Sequence, residues 1–421
     1  MLTPLESRVL SRVDSMGIQA LLSELVRIPS LGGEETPIQR RVAAWMTEVG
    51  FDVDVWDLDL MALRAHPAYS AEIERAEGIG VVGSLGEGVG GRSLILNGHV
   101  DVVPPGDLDA WSFPPWDGGI EDGHLRGRGA LDMKGGLVAG FFAAKAIMDA
   151  GVRLEGKLLL QSVIGEEDGG LGTLAAVERG YRADGAVIME PTDLAICPAQ
   201  AGALNFRIRV RGKSAHGCVR DEGVSALEKY RVVQDALVAL EARRNHYCSD
   251  PLFEGLSIPF PISVGRIEGG DWASSVPDWV VAEGRYGVLP DEDLEIAKVQ
   301  FSDAVADAGE SDDWLREHPP EIEWWGGRFK PALVSLDDPV VRELRAALQD
   351  LGKPSPSLRG VPYGSDMRLL VHEGRTPAVL FGPGNIRKAH AADESVAMDD
   401  VELAAKTLAL TALRFCGHVD G

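Results

Sequence analysis

SLILNGHVDVVPPG, residues 93–106, and GRGALDMKGG, residues 127–136, are the two stretches on which the reading turns. Ser93–Leu96 is a short apolar run of the kind a buried strand makes, and His99 and Asp101 stand just beyond it. In open α/β sheets ligands gather at the carboxyl ends of strands, so a site is expected here. Asp132 follows a glycine-rich turn and leads into an apolar helix, Lys134–Ala150, closed by Gly151.

Working outward, the same arrangement recurs. Lys157–Ile164 is a near-continuous apolar run of the parallel-sheet kind and ends in GEEDGG, residues 165–170. Gly185–Met189 ends in Glu190-Pro191-Thr192, and the strand expected at Pro377–Phe381 is followed by KAHAADE, residues 388–394. Upstream, SLGGEE (residues 30–35) reads as a loop, Thr36–Val49 as a helix ending at Gly50, and Phe51–Trp56 as an alternating strand. The glycine-rich stretch Ile79–Gly91 reads as a hairpin or loop. The segment Asp107–Trp116 is irregular, because Pro114 and Pro115 interrupt it. Its Trp111, Phe113 and Trp116 either wall a pocket or plug a core.

Near Ala201 the texture changes. LNFRIRV, residues 204–210, alternates strictly, as an antiparallel half-exposed strand does. A helix (Val224–Arg243), strands at Ile258–Ile267 and Trp279–Leu289, a helix (Asp291–Ala308) and a strand (Glu321–Trp325) complete a β-α-β-β-α-β series, the ferredoxin-like unit. The expected fold is therefore α/β. A mixed, mostly parallel sheet flanked by helices spans residues 1–201 and 331–421, and an α+β domain is inserted at 202–330.

Composition narrows the function classes. A chain of 421 residues exceeds one ordinary core, which favours two domains. The formal charge is −24 without a basic run, so nucleic acid and anionic membrane are poor partners. No stretch approaches the roughly 18 continuous apolar residues of a membrane span. The first residues lack the order of a signal peptide. The four cysteines (Cys197, Cys218, Cys248, Cys416) form no CxxC pair, which fits a reducing, cytoplasmic setting.

His99, Asp132, Glu167, Glu190 and His390 thus stand at strand-to-loop junctions of one sheet. Two imidazoles and three carboxylates suit zinc or a similar divalent ion. One zinc would not use five ligands, whereas two metals about 3.5–4 Å apart would, if one carboxylate bridges them. Three carboxylates and one hydroxide also nearly cancel the charge of two divalent cations. Asp132, at a helix start, is the bridging candidate. Asp101 is placed to accept the second ring N–H of His99. Glu166 points away from its neighbour Glu167 and is the candidate general base.

GHVDVVPPG, GRGALDMKGG, IGEEDGG, MEPT, RGKSAHG and AH-x-x-DE together resemble the co-catalytic zinc hydrolases that include acetylornithine deacetylase, succinyl-diaminopimelate desuccinylase, aminoacylase and carboxypeptidase G. The resemblance runs in order over nearly the whole chain. It implies two zinc ions, with cobalt or manganese as substitutes: one held by His99 and Glu190, the other by Glu167 and His390, with Asp132 between them. It implies that Glu166 serves as base and then protonates the leaving amine. It further implies that the 202–330 domain is a lid that mediates homodimerisation, and that His216 of KSAHG stabilises the oxyanion in the partner's site.

Two places depart from or refine that pattern. Ser274, in GGDWASSVP, stands where many relatives carry Asn. VPYGSDMRLL resembles the substrate loop, which makes Gly364, Ser365 and Arg368 substrate-binding candidates, Arg368 for a carboxylate. The expected activity is hydrolysis of a small N-acyl amino acid or N-acyl amine, acetylornithine-like first and N-formyl aminopyrimidine second. A dipeptidase or carboxypeptidase is the rival within the class, and a non-catalytic binding protein the rival outside it.

Overall fold

Residues 1–246 and 250–419 are described by the computed structural model, and the chain divides into two compact units. The first comprises Met1–Pro198, Val334–Arg359 and Ser365–Gly421; the second comprises Ala199–Leu333 and Gly360–Gly364.

The first unit is built on a sheet whose strands lie in the order Asp52–Asp57, Ile79–Leu85, Lys157–Val163, Ser93–His99, Gly185–Ile188, Ala378–Leu380. The last four run parallel and the first two pair antiparallel. Leu94, Ile95, Leu96, Leu158, Leu160, Val187 and Ile188 are fully buried, which is why their strands read as unbroken apolar runs. Helices cover the sheet. Gly135–Asp149 lies so close to the end of the Gly185–Ile188 strand that a Cβ on Gly136 would sit 1.9 Å from the Met189 carbonyl oxygen. Met398–Cys416 packs on that helix.

Two elements differ from the sequence expectation. Ile79–Leu85 is a strand paired on both sides. Its glycines make room rather than turns: a Cβ on Gly80 would lie 2.2 Å from the Trp56 ring, and one on Gly83 would lie 2.9 Å from Met46 Sδ. Leu171–Glu178 is a helix that the periodicity does not reveal, because it is apolar nearly all round and its first seven residues are buried.

The second unit is a four-stranded antiparallel sheet in the order Ile262–Gly269, Trp279–Val288, Gly202–Arg211, Glu321–Phe329. With helices Ala226–His246 and Leu294–Glu310 between the strands in sequence, this is the split β-α-β arrangement. Leu204, Phe206, Ile208 and Val210 face the helices, where Phe206 and Phe301 rings lie 4.7 Å apart. On the other face Arg207 bridges Glu283 at 2.7 Å and Glu323 at 2.8 Å. The strand expected from Ile258 begins at Ile262, since Pro259 and Pro261 have no N–H to offer a ladder. No helix among the described residues is long and apolar enough to cross a membrane.

Candidate metal centre

At the carboxyl edge of the first unit's sheet, His99 closes its strand and is 1% exposed. Its Nε2 lies 3.4 Å from Asp132 Oδ1 and 4.0 Å from Glu190 Oε1, without a hydrogen-bond partner. His390 approaches from the opposite side: its Nε2 is 3.4 Å from Asp132 Oδ2 and 3.0 Å from Glu167 Oε2. Each oxygen of Asp132 therefore addresses a different imidazole. Ligand atoms of His99, Asp132 and Glu167 lie within 4.8 Å of one another, and so do those of His99, Glu166 and Glu190. The structure brings together all five sequence-derived ligand candidates, with Glu166 among them.

The electrostatics call for positive charge. Burial, followed by the charge of Glu190, pushes Glu166 well above the usual carboxylate range. Burial and Asp132 do the same to Glu190. Glu167 is raised to about 6 by burial and Asp132. For Asp132 burial opposes ionisation, but the imidazoles of His390 and His99, each 3.4 Å away, outweigh it and hold the group down. Those same carboxylates, Asp132 and Glu167, raise His390 to about 10. Four carboxyl groups, three of them buried and Glu167 half-buried, around two imidazoles, one with an orphaned nitrogen, fit a pair of divalent cations.

The supporting contacts differ in detail from the sequence expectation. The second ring nitrogen of His99, Nδ1, lies 2.9 Å from the main-chain carbonyl of Asp101, with the nearer carboxylate oxygen at 3.6 Å. The carboxylate instead accepts from Glu167 N at 3.1 Å. Asp101 thus orients both sides of the centre, but with different atoms. Arg368 is 3% exposed, and its Nη2 donates to Gly169 O at 2.6 Å and Ser70 Oγ at 2.9 Å. It binds the loop next to Glu166 instead of opening toward solvent. Ser365 is buried and its hydroxyl accepts from Met367 N at 3.2 Å.

In the second unit, Gly364 packs against Phe329, where a Cβ would lie 2.4 Å from the Phe329 Cβ. His216 is exposed at the start of a short 3₁₀ turn, its Nδ1 accepting from Cys218 N. Ser274, also exposed, accepts from Gly217 N through its carbonyl.

Sequence reading missed the residues behind the ligands. Glu394 is 1% exposed; its Oε1 accepts from Leu131 N at 3.0 Å and Asp132 N at 3.1 Å, and its Oε2 from Arg128 at 2.6 Å. It thereby fixes the backbone that carries Asp132. The signal was present as the last letter of AH-x-x-DE. The irregular 107–116 segment is held by Asp393, which accepts from Ser112 N and Oγ, and its half-buried Trp111 donates from Nε1 to Pro105 O.

Comparison with known proteins agrees with this chemistry. Residues 95–414 match the profile of "Peptidase family M20/M25/M40". N-formyl-4-amino-5-aminomethyl-2-methylpyrimidine deformylase of Bacillus subtilis is 32% identical over 387 residues, covering 86% of this chain and 85% of the relative. A probable succinyl-diaminopimelate desuccinylase of Staphylococcus epidermidis is 25% identical over 93% of this chain and 95% of its own. Among solved structures, a Bacillus subtilis protein described as a dinuclear metal binding peptidase from the same family superposes with a TM-score of 0.64 at 14% identity, over 96% of this chain and all of the other.

Proposed function

The chain belongs to the M20/M25/M40 peptidase family, and from that premise we propose that it is a two-metal deacylase that hydrolyses the amide of a small N-acyl amine. The observation that carries the proposal is Asp132 presenting one oxygen to His99 and the other to His390. On this reading His99 and Glu190 hold one cation, Glu167 and His390 the other, and Asp132 spans both. The donor set of imidazoles and carboxylates favours zinc, with cobalt or manganese as substitutes. The neighbour described as dinuclear supports two ions rather than one.

When bound, the cations would polarise the scissile carbonyl and lower the pKa of water. Glu166, beside Glu190 and His99 but not needed to hold either ion, takes a proton from the attacking water. It returns that proton to the departing amine nitrogen, so that the products are a carboxylic acid and a free amine. Asp101 keeps the His99 ring oriented through its carbonyl, and Glu394 keeps the Asp132 main chain in place.

For the acyl group, the 32% identical deformylase moves an N-formyl aminopyrimidine ahead of an acetylornithine-like substrate, and the desuccinylase keeps N-acyl amino acids as the second reading. The second unit is proposed to mediate homodimerisation and so to deliver His216 to a partner's oxyanion. The exposure of that histidine supports the role. The scattered cysteines, of which Cys197, Cys218 and Cys416 are free, support a cytoplasmic setting.

The test is amine release from zinc-loaded protein. The panel is a formylaminopyrimidine, N-acetyl-ornithine, N-formyl and N-succinyl amino acids, and a dipeptide. Selective cleavage of the formylaminopyrimidine is expected, and cleavage of the dipeptide alone would overturn the deacylase reading. Glu166→Gln should lose about 10²–10⁴-fold in kcat while still binding metal. Sedimentation as a monomer would remove the role of His216.

A further inference from the structure

We propose that Arg75 is a positioning residue for the Gly165–Gly170 turn, holding Glu166 and Glu167 at the reacting centre through Asp168. The proposal rests on the roles given above to those two glutamates.

The segment Ser70–Arg75 is bonded along the turn, and every contact is directional. Asp168 Oδ2 accepts from Ile73 N at 2.8 Å, Glu72 N at 3.2 Å and Arg75 Nη1 at 2.9 Å; its Oδ1 accepts from Arg75 Nη2 at 2.7 Å. Glu72 N also reaches the Asp168 carbonyl at 3.0 Å. One residue on, Ser70 Oγ donates to the Gly169 carbonyl at 3.2 Å, and Arg368 reinforces the same carbonyl. The fit is close enough to dictate residue types. Gly169 has φ +137°, and a Cβ there would fall 2.5 Å from the Ser70 carbonyl oxygen; Gly165 has φ +67°, and a Cβ there would fall 3.0 Å from Arg75 Nη2.

The far side of the guanidinium is tied down as well. Glu35 Oε1 accepts from Arg75 Nε at 3.0 Å and Nη2 at 2.6 Å, and Glu35 Oε2 accepts from Gly33 N. Glu35, Arg75 and Asp168 are 2%, 4% and 7% exposed. One buried cation between two buried carboxylates is a poor way to gain stability, since packed apolar groups of similar volume would serve as well. Its distinctive property is geometry, because the planar fork fixes both carboxylates in one arrangement that an ammonium cannot copy. The position matters: Asp168 directly follows Glu166 and Glu167, and misplacement of a reacting group by about 1 Å can cost 10²-fold in rate. Arg75 and Glu35 both precede residue 95, where the match to the family profile begins, whereas Asp168 lies within it.

The experiment compares Arg75→Met and Arg75→Lys with wild type as metal-loaded full-length protein. The readouts are kcat and KM on the substrate wild type cleaves, calorimetric zinc titration, and hydrogen exchange by mass spectrometry. In Arg75→Met we expect kcat to fall about 10–100-fold with KM within about threefold, and one zinc equivalent to bind about tenfold more weakly. Amides of residues 165–170 should exchange faster while those of helix Met398–Cys416 do not change. Arg75→Lys should recover only part of each effect. Unchanged kcat and unchanged exchange in folded Arg75→Met would overturn the proposal. So would faster exchange spread equally over the Met398–Cys416 helix, which marks general destabilisation. Should Arg75→Met fail to fold, Asp168→Asn, which keeps an acceptor for Ile73 N but loses the ion pair, is judged by the same measures. If wild type cleaves nothing in the panel, the substrate reading fails, while exchange and titration still decide the clamp.

Discussion

Glu394→Ala is the perturbation whose size the structure sets most directly. The carboxylate accepts from two main-chain N–H groups, Leu131 and Asp132, and pairs with Arg128, itself 1% exposed. Alanine leaves two buried donors unmet, at about 1–3 kcal/mol each. It also strands a buried guanidinium, and breaking a buried pair from one side costs about 3–5 kcal/mol. Taking the lower ends, because water can enter the vacated space, the first unit should lose about 5 kcal/mol. Glu394→Gln keeps an oxygen for both N–H groups but turns an amide NH2 toward Arg128 in place of the accepting oxygen, so it should lose about 3 kcal/mol, the ion-pair share alone. Denaturant unfolding of chelator-treated protein measures both, and zinc titration then reports whether Asp132 still binds. Two variants within 1 kcal/mol of wild type would refute the reasoning. Glu394→Gln as damaging as Glu394→Ala would show that the main-chain contacts are not what matters.

Other outcomes follow from the same geometry. His390→Ala should reduce bound zinc from two equivalents per chain to one, read by calorimetry or metal analysis, since Asp132, His99 and Glu190 remain. Burial pushes the thiols of Cys197 and Cys416 up to about 12. A disulfide reagent at pH 8 should therefore modify exposed Cys218 in the native protein and reach those two only after unfolding. Burial raises Asp366 to about 6 from its ordinary 3.8. The folded state therefore holds that proton more tightly than the unfolded chain, and stability present below about pH 4 is lost as pH rises through 6. In metal-stripped protein Asp366→Asn should be the more stable by up to about 3 kcal/mol at pH 8, with no such advantage at pH 4. An equal difference at both pH values would refute that assignment.

What could be read from the sequence was whatever depends on local order. Apolar runs that stop at His99, at Glu166-Glu167 and at Glu190 locate a ligand-bearing sheet edge, because strand ends and carboxylates are both visible in one dimension. What could not be read depends on atoms and on distant partners. Asp101 was legible as the companion of His99, but a sequence names the residue, not whether its carbonyl or its carboxylate faces the ring. Arg368 read as a guanidinium available to substrate, and only its neighbours Ser70 and Gly169, nearly 300 and 200 residues away, show it occupied. Arg75 lies 40 residues from Glu35 and 93 from Asp168, so nothing local marks the trio. Gly80 and Gly83 misled for the opposite reason, since glycine signals a turn and a close approach with the same letter.

The division of the chain also sets a timetable for its synthesis. The second unit is nearly all one segment, Ala199–Leu333, whereas the first waits for residues as late as Cys416. The Met398–Cys416 helix is buried along most of its length, and its Arg414 reaches back to Glu6 at 2.7 Å. At roughly 5–20 residues per second, the sheet strands made before Pro198 stand on the order of 10–40 s without that covering helix. During that interval their apolar edges are bare, and His390 has not yet emerged for most of it. Newly made chains are therefore most in need of chaperone protection before their last helix arrives, and a ribosome stalled just short of it would release a nascent sheet rather than a hydrolase.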